Sequence, residues 1–404
     1  MTLTYHTAGE SHGPALTTLI NGMPAGLEVD ADFINAELAR RQGGYGRGGR
    51  QRIESDAVTF LAGVRRGHTT GAPIVMQIPN KDSRLDDLAR TPPVYRPRPG
   101  HADLAGSIKW LTTDCRETLE RASARETAAR TAAGALARCL LREFGMEAFG
   151  FVRSILDAET DVQPSEANLE QLLAAREASE VYCPDAATSE KMIAHIRQAK
   201  IDKDTVGGIV ETHIFGCVPG IGSCVNWHEK LDARIAGAVM GIQAFKAVEI
   251  GLGRQCAFRS GSQVHDAISF DAAQQDASHL GYIRQTNNAG GLEGGMTNGM
   301  PIVVRGTMKP ISTLLRGMPS IDLNTKQAEH SDYERSDVCA VSAAGVVMEN
   351  VIAFEVARAF LEKFGGDSMH QVQANYDAFV DMARKLPLDD VSQHGEPEAD
   401  QSEA

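Results

Sequence analysis

Along the chain, apolar and polar positions sort into short strands and longer helices. Leu3–Thr7 and Ala15–Ile20 predict two strands around a glycine-bearing turn. Asp30 is placed to cap a helix reaching Gln42, with Ala31, Phe33, Ile34 and Leu38 on one face. Val58–Val64 and Pro73–Ile78 predict strands. The stretch TPPVYRPRPG, Thr91–Gly100, excludes regular structure, because proline removes a backbone donor and restricts its neighbour. An alanine-rich helix is predicted from Glu117 to Phe144, with Gly145 at its C-terminal cap. Asp157–Lys203 is polar, with helical patterns between short breaks, and reads as a peripheral helical insertion. Further on, Gly207–Phe215 predicts a strand, Lys230–Ala247 a helix, Pro310–Leu323 irregular chain and Val338–Phe364 a second long helix. The segment from Asn21 and the segment from Gly216 echo one another as strand, Gly/Pro turn and helix, which is compatible with a duplicated strand–helix unit. These elements are read as one unit over 1–385. From 386 to 404 the chain is acidic and polar, and a disordered tail is expected.

Composition narrows the class. A chain of 404 residues buries enough surface to need no staples. Its seven cysteines include no CxxC pair, so zinc-ribbon and redox-motif readings fail, and no metal site is expected. Scattered thiols suit a reducing, cytoplasmic setting. The N-terminal MTLTYHTAGE lacks the basic start and apolar core of a signal peptide. The most apolar stretch, from Val338, is interrupted by Glu349, Asn350 and Glu355, so it reads as a buried helix and no membrane span is expected. The net charge is −13, which argues against general nucleic-acid binding. Any anion site must be local.

Against that acidic background, five arginines, Arg40, Arg41, Arg47, Arg50 and Arg52, fall within thirteen residues, spaced by glycines. Clustered guanidiniums repel unless an anion lies among them, and their forks suit phosphate and carboxylate. A small polyanion explains the cluster, and so does RNA on an RGG-like segment. Elsewhere, TAGESHGPAL holds His12 beside Ser11, read either as a turn histidine or as an acid–base group. His101 follows the proline-rich loop between Arg98 and a predicted helix start. On ERASARETAARTAAG, Arg121 and Arg125 are spaced to share a helix face, with Ser123 between them. A glycine-rich stretch from Asn287 to Pro301 lacks the Walker pattern, yet its amides suit an anion, and KPIST, Lys309–Thr313, adds a cation and hydroxyls. Asp337 opens the last long helix beside Arg335. It is read as an N-cap or as part of an anion site.

In this order, TAGESHG, RRQGGYGRGGR, RPGHADL, ERASARETAAR, NAGGLEGGMTNG, KPIST and RSDVCAV closely resemble the chorismate synthase family. The resemblance implies an α/β (α+β) fold, a β-α-β sandwich with helices between antiparallel sheets. It also implies an anti-1,4-elimination of phosphate from 5-enolpyruvylshikimate 3-phosphate, giving chorismate with reduced FMN and no net redox change. In the family's pattern His12 is the acid for the departing phosphate and His101 the proton donor to the reduced flavin. Asp337 helps the flavin act as base. Arg41, Arg47 and Arg50 are substrate ligands, the first two also matching positions proposed for NADPH. FMN is expected against Arg121, Ala122, Ser123, Gln243, Ala244, Gly294, Lys309, Pro310, Ile311, Ser312, Thr313 and Arg335. The partners implied are a homotetramer and, where NADPH is not the reductant, a separate flavin reductase. Two other readings stay open: an RNA-binding protein, whose binding would be salt-sensitive and flavin-independent, and a flavin oxidoreductase acting on a phosphorylated polyanion, which would consume NAD(P)H steadily.

Overall fold

Strands with one apolar face must cover that face, and here two sheets cover theirs with a shared layer of helices. The computed structural model describes residues 2–49, 54–332 and 336–388. The first sheet holds β1 (Thr4–Ala8), β2 (Ala15–Asn21), β3 (Thr59–Ala62) and β4 (Ile74–Pro79), in the order β1-β2-β4-β3 and antiparallel throughout. Leu16, Thr18 and Ile20 on β2 and Ile74, Met76 and Ile78 on β4 alternate inward and are buried. The second sheet holds β5 (Glu147–Ile155), β6 (Ala158–Glu159), β7 (Gly208–Phe215), β8 (Phe245–Ile250) and β9 (Ile302–Met308), in the order β8-β9-β7-β5-β6, again antiparallel.

Between the sheets lie α1 (Ala31–Gln42), α4 (Thr127–Glu143), α7 (Leu231–Met240) and α8 (Val341–Phe364). The remaining helices are α2 (Asp103–Trp110), α3 (Arg116–Ala122), α5 (Leu169–Ala178), α6 (Ala186–Ile201) and α9 (Met369–Arg384). The alanine-rich faces of α4 and α8 allow close approach. A Cβ placed on Gly134 of α4 would stand 2.1 Å from the Asn350 carbonyl oxygen of α8. The same layer buries an ion cluster. Glu349 accepts from Arg40 at 2.6 Å and pairs with Arg138 at 3.0 Å and Arg176 at 3.5 Å, while Glu37 takes Arg40, Arg138 and Asn350. Two of the polar residues that interrupt the apolar run of α8 thus belong to this cluster, Glu349 as an anion and Asn350 as a donor to Glu37.

Several expected boundaries move. The helix predicted over Glu117–Phe144 breaks at Ser123, whose extended backbone (φ −61°, ψ 141°) separates α3 from a short 3₁₀ turn and α4. Arg121 and Arg125 consequently do not share a face. The helix predicted over Lys230–Ala247 stops at Met240, and Phe245 already belongs to β8. The last long helix starts at Val341 with Ala340 at its cap position, so Asp337 is no N-cap. The 157–203 segment is largely helical, and its Val181, Cys183, Met192 and Ile196 are buried in the main core. Most of the expected tail, from 389 onward, lies outside the described residues.

Candidate active site

Loops from both sheets and the start of α8 converge on a cavity of about 550 Å³. The β1–β2 turn delivers Ser11 and His12. Gly9 makes that turn, at φ +110°, where a Cβ would meet the Ala15 carbonyl at 2.3 Å. His12 is buried and held by a carboxylate 108 positions away. Glu120 accepts from the His12 backbone N–H at 2.8 Å and faces its Nδ1 at 2.9 and 3.1 Å. On the other side of the ring, Nε2 stands 3.3 Å from Arg84 Nη2 and 3.7 Å from Asp82. Burial would push Glu120 up, but the bonds from His12 and the charge of Arg116 hold it below the ordinary carboxylate range.

His101 is built the same way. Its Nδ1 makes a short contact with Asp103, which is fully buried and also accepts from Arg98 Nε at 2.8 Å. Arg98 in turn reaches Thr313 Oγ1 at 3.1 Å. Burial alone would raise Asp103, yet the His101 and Arg98 hydrogen bonds hold it well below the usual carboxylate range. Asp337 closes the third side. Its Oδ1 accepts from the Gly48 N–H at 2.6 Å and its Oδ2 lies 3.4 Å from Arg47 Nε.

Among the described residues, six cations line the cavity, Arg41, Arg47, Arg84, Arg98, Arg125 and Lys309, against one carboxylate, Asp337. Arg41 and Arg125 share Asp56 just behind, at 2.9 and 2.7 Å. Burial pushes Arg41 down to about 10; Asp56 opposes this, while Arg125 and Arg47 add to it. Among the described residues, Arg41 Nε and Arg125 Nη2 are buried without a hydrogen-bond acceptor, while Arg47 Nε and Arg84 Nε face the carboxylates of Asp337 and Asp82 at 3.4 and 3.2 Å without a well-aligned hydrogen bond. Donors left in this state call for an anion. The arginine knot thus splits: Arg40 enters the interior ion cluster, while Arg41 and Arg47 turn to the cavity. Arg50, Arg52 and Arg335 lie outside the described residues.

Another wall is apolar. Ala340, Ala343, Ala344 and Val347 present one face of the first turns of α8, beside Met308, Ile311 and Ile242. Ala122, Ser123, Gln243, Ala244, Ser312 and Thr313 complete the lining. Ser123 Oγ donates to Ser11 Oγ at 3.2 Å, and Gln243 Nε2 donates to Glu126 at 3.3 Å while its Oε1 has no hydrogen bond. Ala244 takes a left-handed φ of +69°, turning the chain from α7 into β8. Lys309 donates to the Gly100 carbonyl at 2.6 Å. Burial, with Lys246 adding to it, lowers the Lys309 ammonium below its ordinary value. Three candidates stand elsewhere. Arg121 pins the end of β1 through the carbonyls of Thr7 and Gly9. Gly294 sits in a hairpin turn whose neighbours are Cys224 and Met296. Pro310 is exposed between Lys309 and Ile311, which do line the cavity. An apolar wall beside cations and hydroxyls in one cavity fits a flavin ring with its phosphate, so the residues present suit FMN.

Sequence reasoning missed Glu120, Asp103, Asp56, Asp82 and Arg84. His101 and Asp103 are two apart, which was a legible signal. Arg84 sits in the polar run KDSRLDD, which carries none.

A family model for chorismate synthase matches residues 3–361. The chorismate synthase of Desulforamulus reducens is 50% identical over 393 residues, covering 95% of this chain and 100% of that relative. That of Geobacter metallireducens is 49% identical over 397 residues, with 95% and 100% covered. A crystal structure of chorismate synthase superposes with a TM-score of 0.77 at 40% identity, over 95% of this chain and 99% of that one. The chain belongs to the chorismate synthase family.

Proposed function

We propose that this cavity eliminates phosphate from 5-enolpyruvylshikimate 3-phosphate to give chorismate, with reduced FMN bound against the apolar face of α8. The observation that carries the reading is the meeting of two carboxylate-held histidines and six cations in one cavity. The substrate's phosphate carries about −1.5 to −2 charge and its two carboxylates add to it. Arg41, Arg47, Arg84 and Arg125 supply the donors that such a ligand needs, from side chains already desolvated and fixed. In the same reading Arg50 joins them as a substrate ligand, and Arg335 is an FMN contact.

When bound, reduced FMN supplies electron density that weakens the allylic C–O bond. The chain's own groups manage charge and protons. His12 offers Nε2 beside Arg84, where a departing phosphate oxygen can be both held and protonated. His101, with Nδ1 on Asp103, keeps Nε2 to hold or hand over a proton at the flavin side. Asp337, fixed by Gly48 and Arg47, helps draw the proton removed from the substrate. Ser11 and Ser123 form a short hydroxyl path beside His12. Lys309, Ser312 and Thr313 suit the anionic parts of the cofactor.

The same reading makes the chain a carbon–oxygen lyase of the cytoplasm, active as a homotetramer. Among the described residues no helix is long and apolar enough to cross a membrane. The reductant is NADPH acting at Arg41 and Arg47, or a separate flavin reductase. NADPH oxidation by the purified chain with FMN alone separates these two, and light scattering tests the tetramer. The central test mixes the protein anaerobically with substrate and chemically reduced FMN. Chorismate and phosphate should appear in equal amounts, and neither with oxidised FMN. A folded, FMN-binding protein that releases neither would overturn the reading.

A further inference from the structure

We propose that Glu120 is a positioning residue for the reaction, holding His12 with Nδ1 protonated and Nε2 presented to the cavity. The inference rests on the role given to His12 above. An ionised carboxylate only accepts, so the Nδ1 atom 2.9 Å from Glu120 Oε1 carries the proton. Glu120 binds the same residue twice. Its Oε2 takes the His12 backbone N–H at 2.8 Å, so ring and backbone are locked to one carboxylate. That carboxylate is itself fixed. It is buried on α3, Arg116 Nη1 stands 3.5 Å from Oε1, and Arg116 is anchored on the Pro92 carbonyl at 2.8 Å. The α3 backbone holds the turn as well, since the Ser11 N–H donates to the Glu120 carbonyl at 3.0 Å.

With Nδ1 so occupied, Nε2 is the atom left to work. It faces Arg84 Nη2 at 3.3 Å, a donor, so it accepts. The charged groups around the ring are Glu120 from α3, Asp82 and Arg84 from the loop after β4, and Arg116 behind Glu120. An anion placed over Arg84 and Nε2 favours protonation of Nε2 from solvent. That proton then leaves on the phosphate oxygen: the Nε2–H bond breaks, an O–H bond forms, and His12 returns to its neutral form. Glu120 stabilises the imidazolium between these two events, so its loss lowers the affinity of His12 for the proton.

Three readouts test this. In the wild-type protein labelled with ¹⁵N-histidine, the His12 signals, assigned by their loss in His12→Ala, should show Nδ1 protonated and Nε2 bare at neutral to alkaline pH. Carbethoxylation of His12, followed by mass spectrometry, reports its titration without any activity. In Glu120→Gln the midpoint should fall by roughly one pH unit, and Glu120→Asp, which keeps the charge, should return it towards wild type. In single turnovers of the holoenzyme with reduced FMN, Glu120→Gln should lose about 10²-fold in rate with substrate and FMN affinities little changed. The alkaline limb of its rate profile should move to lower pH. An Nε2–H tautomer in the wild type would overturn the proposal. So would a folded Glu120→Gln with wild-type midpoint and rate. If Glu120→Gln fails to fold, the wild-type tautomer decides. A wild type that makes no chorismate defeats the proposed reaction, while tautomer and midpoint still judge Glu120.

Discussion

His12→Ala and His101→Ala should fold, because the carboxylates they leave behind keep other partners. Glu120 retains the His12 backbone N–H and Arg116, and Asp103 retains Arg98. Each variant should lose about 10²–10⁴-fold in turnover, the usual worth of a placed acid or base, in the anaerobic assay for chorismate and phosphate. Rates near wild type in both would remove the histidines from the mechanism. Asp103 also predicts a pH effect on stability. Its folded carboxyl is held below its unfolded value, so above the unfolded value its contribution is complete. As pH falls, the unfolded chain binds the proton first, and stability drops between about pH 5 and pH 3. Urea midpoints across that range should fall more steeply in the wild type than in Asp103→Asn. Equal slopes would mean that the Asp103 carboxylate is not selectively stabilised in the folded protein. Both histidines were legible in the sequence as candidate groups, because TAGESHG and RPGHADL are distinctive. The His12 partner Glu120 was not, because a pairing across 108 positions leaves no local period to read.

At the scale of elements, the α4–α8 contact holds the layer that carries the site. Gly134→Val puts a side chain where a Cβ alone would stand 2.1 Å from the Asn350 carbonyl. The helices must part, at a cost of about 1–3 kcal/mol or more, read as a lower urea midpoint. An unchanged midpoint would mean that the two helices slide apart freely. Strand and helix starts read well from sequence where local chemistry sets them. Asp30 does cap α1, accepting from the Phe33 N–H at 2.8 Å. The break at Ser123 did not read, since alanine, leucine, arginine and glutamate, all good helix formers, dominate on both sides of it. Its tertiary role explains it. The break turns Arg125 inward to Asp56 and leaves Arg121 on the end of β1.

For the whole molecule, a net charge of −13 coexists with a cavity lined by six cations and one carboxylate. The local field decides what binds. Burial pushes Arg41 down to about 10, and repulsion from Arg125 and Arg47 adds to it. A bound polyanion relieves that repulsion. Substrate at a hundredfold over its Kd should therefore raise the unfolding free energy by about 2.7 kcal/mol, seen as a higher thermal midpoint. Arg47→Ala should need far more substrate for the same rise, while the rise given by FMN stays close to wild type. Equal losses for both ligands would take Arg47 out of the substrate's subsite.

By itself the sequence determined the order and spacing of the chemical groups, most strand and helix positions, and the family likeness carried by seven short motifs. Those features depend on local backbone chemistry and on contiguous residues. Tertiary structure alone decided which way each group turned. Arg40 and Arg41 are neighbours on α1, yet consecutive helical residues point about 100° apart. One therefore meets Glu37 and Glu349 in the interior, and the other meets Asp56 at the cavity. Which of the two faced the cavity depended on where α8 and the first sheet packed, and that is a property of the assembled layers.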